Sequence, residues 1–471
     1  MSLKESFDEM LHADIPASFD RFGRTLDAQW IDDALRETGT ASVRRRKISA
    51  QLIVWLVIGM ALFRDRSIAE VVAHLGLVLP SQKEGSKKEE SQAGKMVAPS
   101  AIPQGRYRVG PKPIEAIFKR TAEKWAMEAA DQYRWRGLAV YGVDGTTIRI
   151  PDTDENREEF GLPATGRKQS GYPQVRLVAL MALRSHLIAA MAFGPYAGKK
   201  NGECTLATQL WPLVPENSLI IVDRGFLDYG LFFRLSHNEN GEITGKKHWL
   251  VRAKKNNRWK TLKVFGPGDE LVELSISAQA RKKDPSLPKK MIARAIRYQV
   301  KGYRPQTLLT SMVDLELYPA IEIAEVYHER WELELGYDEI KTHMLERQEA
   351  LRSQKPEGIR QEIWGVGLAY NLVRKEMLEV AEASGVLPIR ISFRHSLQFI
   401  RVFCLVEAWT ISPGNLPKRL DAFVEMMKLL ILPERRKDRR YKRHVKIKMS
   451  SYKRNPGRPA GKRSDSQKNG A

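Results

Sequence analysis

The spacing of apolar residues predicts helices in the first part of the chain. The longest pattern is the almost wholly apolar run of residues 50–63, which follows the basic residues 44–47. This run of about 14 residues is too short to cross a bilayer, which takes about 20 residues. It therefore predicts a buried helix in a helical N-terminal domain, residues 1–80, with no membrane contact. Its basic flank either contacts DNA or is solvated, and the pattern leaves both open.

The pattern changes to short apolar strands in the middle of the chain. Residues 138–143 and 219–222 are apolar runs that end at Asp144 and Asp223. Such runs are typical of strands in a sheet that is covered on both faces, which predicts an α/β fold. We expect a turn and an extended strand over residues 145–151, directly after Asp144, and a hairpin over residues 174–193.

Polar and β-like stretches divide the rest of the chain. Residues 81–95 contain no apolar residue except Ala93, so they predict a linker. Between residues 246 and 313 the apolar pieces are short, alternating and broken by Gly and Pro, which predicts an inserted β-rich region. The predicted regions are residues 1–80 (helical N-terminal domain, candidate DNA-binding), 81–112 (linker), 113–350 (α/β domain with the β-rich insertion at about 240–315), 351–433 (helical C-terminal region, candidate dimerisation) and 434–471 (basic, disordered tail).

A polar stripe marks the helix that we predict over residues 318–346. At roughly 100° per residue of helix, the core face is formed by the apolar residues Val326, Leu333, Tyr337, Ile340 and Met344. Four polar residues lie within about 60° of each other beside that face: Tyr327, Arg330, Glu334 and Lys341. Charges next to a core face are costly to hold unless something binds them. A carboxylate with an Arg and a Lys on one stripe suits a metal ion beside a phosphate backbone.

The alternative is an amphipathic helix with ion pairs between residues four apart, Arg330 to Glu334 included. In a solvated helix of that kind, the charges lie on the side opposite the core. That far side of the helical wheel carries glutamates, which we expect to face solvent: Glu325, Glu329, Glu332 and Glu339.

Composition favours a polyanionic partner. Lys and Arg number 78 against 56 Asp and Glu, a net charge of +22, and an excess of this size points to nucleic acid. The charge is uneven, because residues 434–468 hold 15 Lys and Arg against 3 acidic residues, or +12. The 2 cysteines allow no disulfide framework and no cysteine-rich zinc site, which fits a reducing cytosol.

Asp144, Asp223 and Glu334 form the candidate catalytic set. A lone Asp at a strand end is usually a turn-former or a helix cap. Two such residues and a Glu on a helix edge, however, supply the oxygen ligands that hold a pair of Mg²⁺ ions about 3.5–4 Å apart. Hard oxygen ligands select Mg²⁺ or Mn²⁺ over zinc. The chain has no Walker-type phosphate loop, Gly-x-Ser-x-Gly elbow or His-Glu-x-x-His helix, which argues against an ATPase or a serine hydrolase.

These residues, taken in order, resemble the signature of the insertion-element-4 family of DDE transposases from bacterial insertion sequences. The pattern Tyr-(2)-Arg-(3)-Glu-(6)-Lys is met in full by Tyr327, Arg330, Glu334 and Lys341. Asp144-Gly145-Thr146 and the Val-Asp-Arg-Gly-Phe of residues 222–226 resemble the segments around the two aspartates of that family. The resemblance covers about residues 40–435.

The resemblance implies a ribonuclease H-like catalytic core with a β-rich insertion between the second Asp and the Glu. It implies that the three carboxylates bind two metal ions, and that phosphates near the end of the element are held by Tyr327, Arg330 and Lys341. Trp331 would stack on a base pulled from the duplex; the alternative is a packed interface aromatic.

The implied activity is cut-and-paste transposition of double-stranded DNA. Metal-dependent hydrolysis at the terminal inverted repeats is followed by strand transfer into target DNA. Because the two ends must be paired, a homodimer on DNA is implied, in the bacterial cytoplasm and associated with the nucleoid. Two alternatives stay open: an inactive relative kept as a DNA-binding protein, and a ribonuclease H-like nuclease that cuts without strand transfer.

The basic tail is a second candidate DNA-binding element. Residues 454–459 contain a Gly-Arg-Pro core, and the extended arginines Arg454 and Arg458 would enter a narrow A·T minor groove. The alternative is a polycation that binds phosphates without sequence preference.

Overall fold

The computed structural model describes residues 20–41, 48–74, 100–165, 168–169, 172–198, 201–238, 240–300, 304–346, 351–410 and 416–433. The described residues up to Leu432 form one compact unit. The predicted linker stretch 81–95 and the basic tail, with Arg454 and Arg458, lie outside the described residues. None of the helices that are described is long and apolar enough to cross a membrane.

The helices are α1 (Asp20–Thr25), α2 (Ala28–Glu37), α3 (Ala50–Leu62), α4 (Ile68–His74), α5 (Ala101–Val109), α6 (Lys112–Gln132), α7 (Asp154–Phe160), α8 (Glu203–Ala207), α9 (Tyr229–Ser236), α10 (Ala278–Lys283), α11 (Ala320–Tyr327), α12 (Trp331–Asp338), α13 (Pro356–Ser384), α14 (Phe393–Thr410) and α15 (Leu416–Lys428). The strands are β1 (Ala139–Arg149), β2 (Ala164–Thr165), β3 (Lys168–Gln169), β4 (Gln174–Ala182), β5 (Ile188–Pro195), β6 (Ser218–Val222), β7 (Lys247–Arg252), β8 (Lys260–Gly266), β9 (Asp269–Ser275), β10 (Lys290–Tyr298) and β11 (Gln306–Thr310). The predicted hairpin over residues 174–193 is formed by β4 and β5.

Nine of these strands form one mixed sheet in the order β5-β4-β1-β6-β7-β11-β10-β9-β8. β6 pairs in parallel with β1 on one side and with β7 on the other. The strands outside this centre pair in antiparallel fashion. The fold is therefore mixed α/β around a large central sheet, as the apolar strands predicted.

Each face of the sheet carries its own hydrophobic core, because side chains alternate along a strand. On β4, Leu177, Ala179 and Met181 pack into one cluster, which also includes buried residues of α3, α6 and α13. Val178 and Leu180 pack into the cluster on the opposite face. α3 is buried along nearly its whole length, which accounts for its uninterrupted apolar sequence.

β1 runs through Asp144 instead of ending there. It stays paired with β4 as far as Arg149 opposite Gln174, whereas its pairing with β6 stops at Val143 opposite Val222. The turn predicted directly after Asp144 is therefore wrong. Beyond Val143, β1 stays paired with β4 but no longer with β6. The apolar pattern of β1 alone does not show where each pairing ends.

Strands β7 to β11 lie inside the predicted β-rich insertion. β11 pairs with β7, so the inserted strands extend the central sheet. β8 was not predicted, because its first five residues are exposed and it lacks the buried alternation that a sequence pattern shows. Its lysines suit an edge strand, where charge discourages pairing with other chains.

The helix predicted over residues 318–346 is built from four consecutive pieces. α11 leads into a 3₁₀ turn at His328–Arg330, then α12 and a π turn at Glu339–Met344; we call residues 320–344 the signature segment. Rotation per residue differs between these helix types, so a stripe drawn at 100° per residue is only approximate. The apolar residues predicted to face the core are all buried: Val326, Leu333, Tyr337, Ile340 and Met344.

The glutamates predicted to face solvent do not share one environment. Glu325 is exposed, but Glu332 is buried and lies 2.9 Å from Nε2 of His186. Glu339 accepts from the guanidinium of the buried Arg374. The prediction is wrong for these two residues because their partners come from the β4–β5 turn and from α13, which are distant in the sequence.

Candidate functional site

The two predicted aspartates lie side by side at the carboxyl end of the parallel strands β1 and β6. β1 and β6 pair in register as far as Val143 opposite Val222, and Asp144 and Asp223 are the next residue on each strand. The side chain of Asp223 makes no capping hydrogen bond to the 3₁₀ turn that follows it. A simple capping role therefore does not account for this aspartate.

The surroundings of Asp144 disfavour its ionised form. Burial, together with the nearby carboxylates of Glu203 and Asp223, raises the pKa of Asp144 to about 6, although the N–H of Gly145 and the guanidinium of Arg330 oppose the shift. Gly145 N donates to Asp144 Oδ1 over 2.8 Å. A bound cation would relieve the repulsion among these carboxylates.

Glu203 was not among the residues predicted for the site. It is the first residue of α8, and its side chain packs directly over Gly145. A Cβ built on Gly145 would lie 2.5 Å from Cγ and Cδ of Glu203. No local pattern pointed to Glu203, because a Glu in the first turn of a helix is also explained by the helix dipole.

Glu334 lies in α12 and is paired with a neighbour in the signature segment. Arg330 Nη2 donates to Glu334 Oε1 over 3.1 Å, which is the ion pair that the amphipathic-helix alternative predicted. The Arg330 guanidinium also lies 4.9 Å from the ring centre of Trp331. Trp331 is 42% exposed, so much of its surface is open to solvent.

The other two signature residues lie near the same strand ends. Lys341 Nζ donates to Thr146 Oγ1 over 3.2 Å, two residues beyond Asp144 on β1. Tyr327 is buried, and burial raises its pKa to about 12, with Arg330 opposing the shift and Asp223 adding to it. The structure thus brings Tyr327 close to Asp223, and Arg330 and Lys341 close to Asp144.

Tyr337 is a site residue that the sequence reasoning counted only as part of the core face. Its hydroxyl donates to the backbone carbonyl of Asp144 over 2.6 Å and accepts from Ala179 N over 3.1 Å. Burial raises the pKa of Tyr337 well above 10, so the phenol stays protonated and keeps donating. The available signal was the residue type, because a buried Tyr usually has a hydrogen-bond partner for its hydroxyl.

The donor set fits a hard divalent cation by its chemistry. Asp144, Asp223 and Glu334 offer only oxygen ligands. The pKa of Asp144 is raised first by burial and then by the neighbouring carboxylates of Glu203 and Asp223. In the part of the chain that is described, no three His, Cys, Asp or Glu side chains already converge on a point that could hold a metal ion. Glu334 is instead paired with Arg330.

Comparisons with known proteins show which family the chain belongs to. The chain matches the family described as "Insertion element 4 transposase N-terminal" over residues 16–119 and the family described as "Transposase DDE domain" over residues 135–372. It is 37% identical to "Transposase InsG for insertion sequence element IS4" of Escherichia coli (strain K12), over 91% of this chain and 92% of that protein. It is 33% identical to "Putative transposase InsZ" of the same strain, over 51% of this chain and 74% of that protein.

A solved structure also resembles the chain, at a lower level. It is the "Cryo-EM structure of piggyBac transposase synaptic complex with hairpin DNA", with a TM-score of 0.41 and 11% sequence identity. The alignment covers 88% of this chain and 85% of that chain. A similarity of this size carries no conclusion about the site.

Proposed function

Because the chain belongs to the insertion element 4 family of DDE transposases, and is a DNA transposase that cleaves and transfers DNA strands, we propose that Asp144, Asp223 and Glu334 are its catalytic carboxylates. The observation that carries the proposal is the parallel register of β1 and β6, in which Val143 lies opposite Val222. Asp144 and Asp223 are the residues that directly follow this pair. Tyr337, three residues after Glu334, contacts the backbone of Asp144. The signature segment therefore lies against the strand that bears the first aspartate.

A DDE domain implies dependence on a divalent metal ion, and the finer proposal is two Mg²⁺ ions, replaceable by Mn²⁺, held by these three carboxylates. When bound, such ions activate the attacking water or 3′-hydroxyl and stabilise the charge on the leaving 3′-oxygen. Before Glu334 can join the two aspartates, its carboxylate has to leave the guanidinium of Arg330. That exchange frees Arg330 for another anion.

The anion that Arg330 meets is proposed to be a DNA phosphate next to the reacting bond. A guanidinium binds phosphate with two parallel hydrogen bonds, and Tyr327 and Lys341 add a phenol and a second cation nearby. Lys341 already hydrogen-bonds Thr146, two residues from Asp144, so a phosphate that it holds lies close to the first carboxylate. Trp331 is exposed next to Arg330, where stacking on an unpaired base contributes about 1–3 kcal/mol.

The proposed architecture around the site is a ribonuclease H-like core. The support is the half of the sheet with mixed strand directions, β5-β4-β1-β6-β7. Asp144 lies on β1, and Asp223 follows β6, which is parallel to β1. β8 to β11 extend this half as the insertion. DNA is the partner class, and terminal inverted repeats paired by a homodimer, target DNA and action at the bacterial nucleoid are parts of the proposal.

A single reaction tests the proposed activity. Full-length protein is incubated with duplexes that carry the inverted repeats flanking its coding sequence, together with a target plasmid and Mg²⁺. We expect nicks at the element ends and covalent joining to the plasmid, both abolished by EDTA. Binding without nicks would identify an inactive DNA-binding relative, and nicks without joining would identify a nuclease.

A further inference from the structure

One side-chain hydroxyl links the two parts of the proposed site. Tyr337 Oη donates to the carbonyl of Asp144 and accepts from the amide of Ala179. Asp144 and Ala179 lie opposite each other in the ladder between β1 and β4. The hydroxyl of a helix residue therefore bridges two strands at the residue that bears the first proposed carboxylate.

The packing around this bridge leaves little free space between α12 and the sheet. A Cβ on Gly142 of β1 would lie 2.5 Å from Cδ1 of Leu333, and a Cβ on Gly336 of α12 would lie 2.7 Å from Cε of Met181. Leu333 is fully buried, at 0% exposure. Gly142 and Met181 lie opposite each other, two residues along β1 and β4 from Asp144 and Ala179. Close contacts thus set the separation of the helix and the sheet beside Tyr337, and the hydroxyl sets their relative position along the strand.

We propose that Tyr337 is a positioning residue for the transposition reaction, whose hydroxyl holds the helix of Glu334 in register with the strand of Asp144. The proposal rests on the proposed catalytic roles of Asp144 and Glu334. Tyr337 touches no reacting atom and acts through the backbone of Asp144. Glu334 lies one turn before Tyr337 on the same helix, so a shift at Tyr337 moves the Glu334 backbone with it.

The chain offers a matched control for removal of the hydroxyl. Tyr141 lies on β1 and is fully buried, and its hydroxyl has no hydrogen-bond partner among the residues that the structure describes. Tyr141→Phe and Tyr337→Phe therefore make the same chemical change at two buried positions, one in each of the two cores of the sheet. Only the second removes a bridge between helix and sheet.

The experiment compares these two variants with the wild-type full-length protein. Three quantities are measured at one temperature: the single-turnover rate of cleavage of an element-end duplex, the Kd for that duplex, and the affinity of the DNA-free protein for Mn²⁺ by calorimetry. We expect Tyr337→Phe to slow cleavage in the bound complex and to weaken Mn²⁺ binding by about 10- to 100-fold each, the range for residues that orient metal ligands. The Kd for DNA should stay within about twofold, because the proposed phosphate contacts are untouched. Tyr141→Phe should match wild type in all three measurements.

Two results would overturn the positioning role. If Tyr337→Phe behaves like Tyr141→Phe, the bridge does not set the geometry of the site. If Tyr337→Phe is unfolded at the assay temperature, or loses cleavage and DNA affinity in parallel, the hydroxyl serves the fold. Glu334→Gln in the same assay separates this outcome from the proposed function: an inactive Glu334→Gln beside a fully active Tyr337→Phe removes only the role of Tyr337.

Discussion

The guanidinium of Arg330 and the carboxylate of Glu334 form an ion pair across 3.1 Å, one turn apart in the signature segment. The Arg330 side chain is 13% exposed and the Glu334 side chain 45% exposed, so the pair lies at the edge of the protein surface. The proposed mechanism assigns these two groups to different partners, a phosphate and a metal ion. On that proposal the pair is the arrangement of the protein without metal and DNA, and Glu334 changes partner when the metal binds and Arg330 when the phosphate binds.

Glu334→Gln tests the carboxylate side of this exchange. The amide keeps the shape of the side chain and can still accept from Arg330, but it lacks the charge that binds a divalent cation. We expect the rate of end cleavage to fall by at least about 100-fold, since ligand charge supports several kcal/mol of transition-state stabilisation. Binding of the element end, measured by fluorescence anisotropy, should persist.

The matched control for Glu334→Gln is Glu325→Gln. Glu325 is an exposed glutamate of the same segment, and its removal should leave both cleavage and binding unchanged. A Glu334→Gln protein that nicks at a rate near wild type would show that Glu334 is not a metal ligand.

Arg330→Ala and Lys341→Ala test the phosphate side. Each residue is proposed to contact one phosphate near the reacting bond, so each change should lower cleavage per bound complex more than it lowers overall DNA affinity. We expect a loss of about 10-fold or more in single-turnover rate, because small errors in the position of reacting groups are costly. Arg330→Lys should recover little, because a lysine lacks the planar fork of the guanidinium. Loss of nonspecific duplex binding with unchanged cleavage per complex would reject the phosphate contacts.

Local patterns in the sequence predicted the strands of the large sheet other than β8 and the position of the signature segment, because both depend on the spacing of neighbouring residues. They predicted that Val326, Leu333 and Met344 are buried, and the structure confirms this. They predicted a turn between Asp144 and the extended residues that follow it, whereas β1 runs on without a break because it stays paired with β4. Features that depend on the spatial arrangement of distant segments were beyond this reasoning.

Three acidic residues illustrate that limit. Glu332 and Glu339 fall on the polar side of the helical wheel, but His186 and Arg374 meet them there and make that side an interior. Glu203 enters the site only because α8 packs over Gly145. In each case the residue type is compatible with solvent exposure, and only the partner shows its environment.

Glu339 should contribute to stability in a pH-dependent way. Burial favours the neutral acid, but the charges of Arg374 and His186 outweigh it and lower the pKa of Glu339 to about 2. This pKa is below the ordinary glutamate value of 4.5, which applies to the unfolded chain. The ionised pair therefore stabilises the fold above pH 4.5, and this contribution is lost as the pH falls toward about 2. Glu339→Gln leaves the buried Arg374 without this charge partner and should cost about 3–5 kcal/mol in the free energy of unfolding at pH 7.

Denaturant unfolding of wild type and Glu339→Gln between pH 7 and pH 3 measures this contribution. The difference between the two proteins should shrink as the pH falls below 4.5, since Glu339 of the unfolded wild-type chain then takes up protons while Glu339 of the folded protein stays ionised until about pH 2. The double variant Glu339→Leu with Arg374→Leu should regain part of the lost stability, because it removes the unpaired buried charge. A difference that stays constant across the pH range would assign the effect to packing instead of charge.

The basic tail should control how DNA affinity depends on salt. Residues 434–468 carry +12 of the +22 net charge, and each phosphate that a protein neutralises steepens the slope of log K against log salt by about 0.9. Removal of everything after Pro433 should therefore flatten that slope by several units and lower nonspecific affinity sharply at low salt. Asp144, Asp223 and Glu334 all lie upstream, so cleavage per bound complex should survive, provided that a thermal melt shows the truncated protein to be folded. An unchanged salt slope would mean that the tail does not contact the DNA backbone, and the excess charge would need another partner.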